Sequence, residues 1–112
     1  MLSPQNRLRK RKDIEMAFRG QSYFCPHFVI RYRNNPESVS ARCTVIVANK
    51  VARRAVRRNM IKRRVREVLR TLVAELRSGD YAVIARVNAG ALRPDEVAPC
   101  FESEFKRLPI FR

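Results

Sequence analysis

The sequence has few of the residues on which enzyme sites usually depend. Its 112 residues contain one histidine, no tryptophan and three glycines, and only 10 acidic residues stand against 25 basic ones. The single histidine, His27, has no carboxylate or cysteine pattern beside it in the sequence that would complete a catalytic triad. No glycine-rich phosphate loop or dinucleotide fingerprint is present. We therefore expect no catalytic residues on this chain.

The cysteines are few and widely spaced, at Cys25, Cys43 and Cys100. They form no C-x-x-C pair and show no zinc-ligand spacing, which predicts small buried or part-buried thiols in a reducing compartment and no metal held by this chain. The sequence also has no apolar stretch long enough for a signal peptide or a membrane span. We therefore expect a cytoplasmic protein that is not embedded in a membrane.

Positive charge is what the sequence has in excess. The formal net charge is +15 and the sequence pI is about 11.3. Residues 1–77 carry all of this excess, whereas residues 78–112 are neutral. Nucleic acid is the first partner class to consider, because basic side chains that neutralise phosphates release condensed counterions. An anionic membrane surface is the competing partner class, and it would require a broad apolar face exposed beside the charge.

The hydrophobic fraction of 46% is enough for one folded domain over residues 1–112. The pattern predicts an α+β sandwich with helices on a small mixed sheet. Residues 43–48 and 81–87 are expected to be parallel neighbours joined by the long helix. Pro99 either kinks the last helix or marks the start of its regular part. Residues 1–9 are expected to be irregular. The predicted elements are a helix at 10–19, an extended segment at 22–33 that is interrupted near Pro26, a strand at 43–48, a long helix at about 53–77, a strand at 81–87 and a helix that begins at about Pro94.

The long helix sorts its residues into two faces when each residue is turned by about 100°. One face is apolar and should pack on the sheet: Ile61, Val65, Val68, Leu69, Leu72 and Leu76. A second face, centred roughly 110° away by the same rotation, forms what we call the basic stripe: Arg58, Asn59, Lys62, Arg63 and Arg66.

Three properties distinguish the basic stripe from an ordinary solvated helix face. Acidic partners at i,i+4 are nearly absent, so its charges repel one another instead of pairing. Arginine outnumbers lysine, which favours bidentate contacts with phosphates. Asn59 is a mediocre residue for a helix interior, but its amide can both donate to and accept from RNA groups. The pattern therefore favours RNA recognition. Among the upstream aromatic residues, Phe18 is the one that we expect to be exposed.

The long helix resembles a known signature. Its residues Ala55, Val56, Arg58, Asn59, Lys62, Arg63 and Arg66 match A-V-x-R-N-x-x-K-R-x-x-R, which is similar to the motif of the bacterial ribonuclease P protein component. Weaker matches lie in the same order along nearly the whole chain, including Phe28-Val29-Ile30, Lys50 and Asp80-Tyr81. The resemblance implies an α-β-β-β-α-β-α fold with a left-handed crossover through the long helix. A ribosomal or other structural RNA-binding protein without a processing role is the alternative.

The resemblance also implies a function and its partners. The family's protein binds a catalytic RNA, and the complex removes the 5′ leader of precursor tRNA. The RNA performs this hydrolysis with Mg²⁺, which the protein does not hold tightly, and no obligate protein partner is implied. By position, the resemblance assigns RNA contacts to Lys50, Arg58, Asn59, Lys62, Arg63 and Arg66, and a leader cleft to Ile14, Phe18 and Arg31. Met60 departs from the family, which usually has arginine there. Its helical angle places it away from the basic stripe, so Arg57 or Arg64 could take over a lost contact.

Overall fold

A computed structural model of the chain describes residues 2–111. The order of helices and strands is the predicted α-β-β-β-α-β-α. Short 3₁₀ turns at Pro4–Asn6, Val73–Glu75 and Val87–Ala91 connect the main elements. These elements are α1 (Arg11–Phe18), β1 (Gln21–Phe24), β2 (Phe28–Arg33), β3 (Ala41–Ile46), α2 (Ala55–Leu72), β4 (Gly79–Ala85) and α3 (Pro94–Phe105).

The four strands form one mixed sheet in the order β1-β2-β4-β3. β1 and β2 form an antiparallel hairpin, and β2 also pairs antiparallel with β4. β3 pairs parallel with β4, and α2 is the crossover between them. A parallel pair requires a long connection of this kind, so the predicted parallel neighbours are confirmed.

The two faces of the sheet are covered by different helices. Phe28, Ile30 and Tyr32 alternate along β2 and are buried in the main core, which α2 and α3 share. The Phe28 ring meets the Phe101 ring of α3 edge-on, with centroids 5.1 Å apart. α1 lies on the opposite face, where its Ala17 packs against Ala82 of β4. This alternation separates a core face of the sheet from an α1 face.

Apart from the short 3₁₀ turn, residues 2–9 form no helix or named strand, but they pack against β3. Leu2 and Leu8 are buried, and Arg7 forms an isolated parallel bridge with Cys43 of β3. The amide of Leu8 donates to the Cys43 carbonyl at 2.9 Å. The segment therefore lies along the outer edge of β3, where it satisfies backbone groups that an edge strand would otherwise leave unpaired.

Two helix ends differ from the sequence prediction. α2 ends at Leu72, and Leu76 is buried in an extended conformation that bridges to Phe111. Its side chain lies in the main core, so its burial does not require a helix. α3 begins at Pro94 and contains Pro99, so the alternative in which the regular part begins at Pro99 is wrong. Lys106 is the cap residue that follows the last turn of α3.

Candidate RNA-binding surface

α2 forms despite its concentrated charge because its other side is buried. The side chains of Ile61, Val65, Val68, Leu69 and Leu72 lie in the core, as the predicted apolar face requires. Burying one such side chain stabilises the fold by about 1.5–3 kcal/mol, whereas a like-charge pair at i,i+4 costs only about 0.2–0.5 kcal/mol. Packing therefore outweighs repulsion, and the helix can present unpaired cations to solvent.

The basic stripe lies at the surface, as its helical angle predicts. Asn59, Arg63 and Arg66 are exposed and Lys62 is half-buried. Within residues 2–111, no hydrogen bond or ion pair engages these four side chains. Elsewhere on α2, Arg70 pairs with Glu67, with Arg70 Nη2 3.4 Å from Glu67 Oε2. The stripe is therefore a row of cations and one amide whose binding capacity is not used inside the chain.

Arg58 has a second role in addition to its place in the stripe. Its Nη1 donates to the carbonyls of Ala52 and Arg53 at 3.0 and 2.6 Å. These contacts hold the turn that leads into α2, where Arg54 supplies no side-chain cap. The half-buried Arg58 therefore both shapes the start of the helix and contributes charge to the surface.

Arg57 is used entirely within the protein. Its guanidinium donates to the carbonyls of Gly90 and Leu92, in the turn after β4. Gly90 is required where this turn approaches the start of α2, because a Cβ at this position would lie 2.0 Å from the Val51 carbonyl oxygen. The suggestion that Arg57 replaces a phosphate contact is therefore not supported, since this arginine already ties α2 to the turn.

Met60 and Arg64 lie on different sides of the helix. Met60 is half-buried and packs against the main core, so an apolar residue is accommodated at this position. Arg64 is exposed beside the stripe. Lys50, assigned to RNA contact by the resemblance, is exposed in the turn before α2. The predicted separation of Met60 from the basic stripe is confirmed.

The basic stripe continues beyond α2 toward the N-terminal segment. Arg66 lines a cavity of about 260 Å³ together with Arg7 and Arg9, and β3 forms its floor. Arg7 donates from Nε to the Leu2 carbonyl at 2.8 Å, while Arg9 is exposed. Because residues 7–9 lead directly into α1, the positive surface extends from α2 around the edge of β3 to the other face of the sheet.

On that face, Phe18 and Arg31 form one unit. Phe18 is 36% exposed, and the Arg31 guanidinium carbon lies 5.6 Å from the centre of its ring. Arg31 Nη1 also donates to the Phe18 carbonyl at 3.0 Å. Ile14 is half-buried and packs with Leu8 and Ala17, so it anchors α1 more than it lines an open surface. Phe18 and Arg31 therefore come together as the resemblance implies, whereas Ile14 lies deeper.

A line of apolar side chains on the same face of the sheet was not predicted from the sequence. The strand register aligns four residues across the sheet on the α1 face, and we call them the apolar row: Phe24, Val29, Ile84 and Ile46. Phe24 is 73% exposed and the other three are half-buried. The alternation of β2 indicated that Val29 faces away from the core. Only the strand order, however, places Val29 next to Ile84 and Ile46.

A buried ion pair helps to hold α1 in place over the sheet. Asp80 is fully buried and accepts two bonds from Arg42, at 2.9 Å from Nε and 3.0 Å from Nη2. Asn35 Nδ2 donates to the same carboxylate at 3.2 Å. The bond to Asp80 raises the pKa of Arg42 further, and Arg42 Nη2 also lies 3.6 Å from the Asp13 carboxylate of α1. This network connects β3, β4 and α1.

The three cysteines are free thiols, and Cys25 and Cys43 are buried as predicted. Cys100 is half-buried and meets His27 and Glu104, a contact that the sequence analysis did not anticipate. Burial, followed by the adjacent Glu104 carboxylate, raises the pKa of the Cys100 thiol to about 12. A neutral thiol is a poor nucleophile, so this arrangement does not provide an activated cysteine.

The fold and its surfaces define a class: a small α+β RNA-binding protein. It has an arginine-rich helix beside its core and exposed aromatic rings, Phe18 and Phe24, on the opposite face of the sheet. Within residues 2–111, every helix is too short or too polar to span a lipid bilayer. The apolar side of α2 is buried in the core, so α2 does not present the broad exposed apolar face that a membrane-surface helix requires.

The comparisons with known proteins lead to one family. The family model described as Ribonuclease P matches residues 2–109. A ribonuclease P protein component from an Exiguobacterium species is 33% identical over 99% of this chain and 96% of its own length. A solved Staphylococcus aureus RNase P protein superimposes with a TM-score of 0.86 at 29% identity, covering 96% of this chain and 98% of that one. A Thermotoga maritima RNase P protein gives a TM-score of 0.75 at 30% identity, covering 91% and 96%.

The chain belongs to the ribonuclease P protein family. It is an RNA-binding subunit of the ribonucleoprotein endoribonuclease that matures the 5′ ends of tRNA. Its partner is therefore RNA within that complex. The alternative of a structural RNA-binding protein without a processing role is not favoured.

Proposed function

We propose that the chain binds two RNAs through two connected surfaces. The basic stripe, with Lys50, contacts the catalytic RNA of ribonuclease P. Phe18, Arg31 and the apolar row form a surface beside α1, which we call the cleft. In this proposal the cleft holds the single-stranded 5′ leader of precursor tRNA. One observation carries this proposal: within residues 2–111, the basic side chains of Lys62, Arg63 and Arg66 have no hydrogen-bond or ion-pair partner. Their positive charges are therefore available to an anionic partner.

The chemistry of the basic stripe supports contact with a folded RNA. Arg63 and Arg66 can each form two parallel bonds to a phosphate, and Asn59, one turn before Arg63, can bond a ribose hydroxyl or a base edge. The stripe is part of a rigid helix whose opposite side is buried, so it is ordered before RNA arrives. Preorganisation of this kind reduces the entropy lost on binding.

The chemistry of the cleft supports contact with a single strand. Phe18 offers a ring for base stacking, and Arg31 places a cation beside that ring. The neighbouring apolar row gives Phe24 as a second exposed ring. Stacking on aromatic side chains tolerates many base sequences, which suits a leader that varies from one precursor tRNA to another.

In this proposal, the Mg²⁺ ions of the reaction are bound by the RNA and not by this chain. Mg²⁺ prefers octahedral oxygen ligands. The only cluster of potential metal ligands within residues 2–111 combines His27, Cys100 and Glu104, and its nitrogen and sulfur atoms suit other metals. In this proposal the protein positions RNA and supplies positive charge. We place the complex in the cytoplasm, in keeping with the three free thiols.

Reconstitution tests the proposal for each surface separately. The purified chain is combined with a bacterial ribonuclease P RNA and a precursor tRNA at low Mg²⁺, and leader removal is measured. We expect the chain to stimulate cleavage. Replacing Arg63 by Ala should weaken binding of the catalytic RNA and reduce the salt slope by about 0.7–0.9 for the lost phosphate contact. Arg70→Ala is the matched control, because Arg70 is exposed on the same helix but paired with Glu67.

The cleft is tested with substrates that differ only in leader length. Phe18→Ala should weaken binding of a precursor with a long leader by about 1–3 kcal/mol, the usual value for one stacked base. The same variant should bind mature tRNA and the catalytic RNA as the wild type does. If Phe18→Ala lost the same binding free energy for precursor and for mature tRNA, contact between the cleft and the leader would be refuted. Absence of stimulation by the wild-type chain would overturn the proposal as a whole.

A further inference from the structure

Three potential metal ligands from distant parts of the chain meet where the turn between β1 and β2 contacts α3. His27 lies just before β2, and Cys100 and Glu104 lie one turn apart on α3. His27 Nδ1 is 2.7 Å from Glu104 Oε2, and Cys100 Sγ is 3.1 Å from the same oxygen and 3.3 Å from His27 Nδ1. Neither the basic stripe nor the cleft uses these residues.

We propose that His27, Cys100 and Glu104 form a binding site for a divalent transition-metal ion, with Zn²⁺ as the best match. The ligands are His27 Nδ1, Cys100 Sγ and one oxygen of Glu104, and a water molecule fills the fourth position. Imidazole, thiolate and carboxylate are the usual ligands of Zn²⁺, and three protein ligands with an open fourth position are an established arrangement for this ion. The site is separate from any Mg²⁺ bound to RNA.

The spacing of the three atoms is close to what a tetrahedral ion requires. Zn²⁺ distances of about 2.0–2.3 Å imply about 3.4 Å between nitrogen and oxygen and about 3.6 Å for each pair with sulfur. The present separations of 2.7, 3.1 and 3.3 Å are hydrogen-bonding contacts. Each pair therefore has to open by less than about 1 Å. Small side-chain rotations of the half-buried His27 and Cys100 can provide this.

The surrounding contacts orient the ligands. Glu104 Oε1 accepts a bond from the His27 backbone amide at 2.9 Å, which fixes the carboxylate and leaves Oε2 for the ion. Such supporting bonds hold metal ligands in position and are commonly worth about 10–100-fold in affinity. The side chain of His27 is 30% exposed and that of Glu104 is 9% exposed, so the ion would enter from the His27 side.

Charge balance favours the bound state. The ion replaces the Cys100 thiol proton, which leaves to solvent while the sulfur lone pair forms the bond to the metal. His27 gives up the Nδ1 proton with which it bonds Glu104, so the neutral ring binds the ion through its Nδ1 lone pair and carries its one proton on Nε2. One thiolate and one carboxylate then neutralise the two charges of the ion, so the centre carries no net charge. A neutral centre costs less to hold in a half-buried position than an uncompensated ion.

Binding would connect the β1–β2 hairpin to α3. His27 lies in the hairpin turn, and its carbonyl already accepts a bond from the Arg86 amide at 2.9 Å. An ion that binds only the folded chain raises the temperature of unfolding by mass action. The inference concerns the chain alone and does not depend on which RNA the protein binds.

The test uses the purified full chain without RNA. The metal-free protein is titrated with Zn²⁺ against a chromophoric chelator, and Co²⁺ is used as a spectroscopic substitute. We expect one Zn²⁺ per chain, a higher unfolding temperature with Zn²⁺, and an intense thiolate-to-Co²⁺ absorption band. Excess Mg²⁺ should not displace the ion, because this mixed nitrogen and sulfur site suits softer metals.

Variants distinguish this site from binding elsewhere on the chain. Cys100→Ser should abolish the thiolate band and lower Zn²⁺ affinity at least about tenfold, and His27→Gln should lower the affinity similarly. The controls are Glu102→Gln, which changes a carboxylate on the same helix, and Cys43→Ala, which removes a thiol outside the cluster. Both controls should keep the band. A wild-type protein without the band, or an unchanged band in Cys100→Ser, would overturn the proposal. The wild-type spectrum is decisive even if a variant fails to fold.

Discussion

The buried pair between Arg42 and Asp80 provides the most quantitative prediction. Replacing Arg42 by Ala removes both guanidinium bonds to the Asp80 carboxylate, at 2.9 and 3.0 Å, and leaves only the bond from Asn35. Asp80 has no exposed surface. Breaking a buried pair by removing one partner costs about 3–5 kcal/mol, because the remaining charge is left uncompensated.

The lower end of that range applies here. The Arg42 side chain is 26% exposed, so water can reach part of the space that it vacates. We therefore expect Arg42→Ala to lower the free energy of unfolding by about 3 kcal/mol. For a domain of this size, that loss corresponds to a fall of roughly 12 °C in the midpoint of thermal unfolding. Total stability is only about 5–15 kcal/mol, so the effect is large.

Urea denaturation and thermal unfolding, both followed by circular dichroism, measure this loss. Arg70→Ala is the control, because Arg70 and Glu67 form an exposed pair with side chains 53% and 51% exposed. Exposed pairs contribute about 0–1 kcal/mol, so the control should change stability little. The double variant Arg42→Ala with Asp80→Asn should recover part of the loss, because a neutral amide costs less to bury than a carboxylate.

The comparison between Arg42→Ala and Arg70→Ala decides whether this reasoning is correct. If Arg42→Ala costs no more than the exposed control, the pair contributes nothing beyond surface charge. If the double variant is less stable than Arg42→Ala alone, the cost does not come from an uncompensated carboxylate. Since Arg42 also lies 3.6 Å from Asp13, the same variant should loosen α1 and weaken binding of a precursor tRNA with a long leader.

Two further predictions concern the positions of α2 and α1. Arg57→Ala should lower the free energy of unfolding by about 1–3 kcal/mol, because it leaves two carbonyls of the turn after β4 without their donor. Arg64→Ala, at an exposed position, should change the free energy of unfolding by less than about 0.5 kcal/mol. Equal effects of the two variants in urea denaturation would contradict this role of Arg57. Gly20→Ala should cost at least about 2 kcal/mol, because the added Cβ would lie 2.0 Å from the Tyr32 carbonyl oxygen. A variant with wild-type thermal stability would show that the backbone adjusts without cost.

Periodic features were predictable because they depend on local geometry. The 3.6-residue period of α2 separates Ile61 and Val65 from Arg63 and Arg66 in any fold that buries one side of the helix. The alternation of residues 28–33 similarly predicts which side chains of β2 enter the core. The helical angle alone was enough to place Met60 away from the basic stripe.

Strand order and register were not available from local patterns. The apolar row exists because β4 lies between β2 and β3, so Ile84 is aligned with Val29 on one side and Ile46 on the other. The chain order β1, β2, β3, β4 would equally allow β3 to pair with β2. The observed strand order β1-β2-β4-β3 is set by hydrogen bonds between strands that are far apart in the sequence. The energy of these hydrogen bonds depends on how all the helices and strands pack together.

The sequence by itself therefore determined the basic stripe, its separation from the core and, through the resemblance, the family. The tertiary structure decided which of these arginines are available. Arg57 and Arg58 are adjacent and chemically identical, but a turn 33 residues away engages Arg57, while Arg58 remains partly open to solvent. The tertiary structure also brings His27 to within hydrogen-bonding distance of a thiol and a carboxylate more than 70 residues away. The physical reason is that periodicity acts over a few residues, whereas a side chain's partners are set by which distant segments the core brings together.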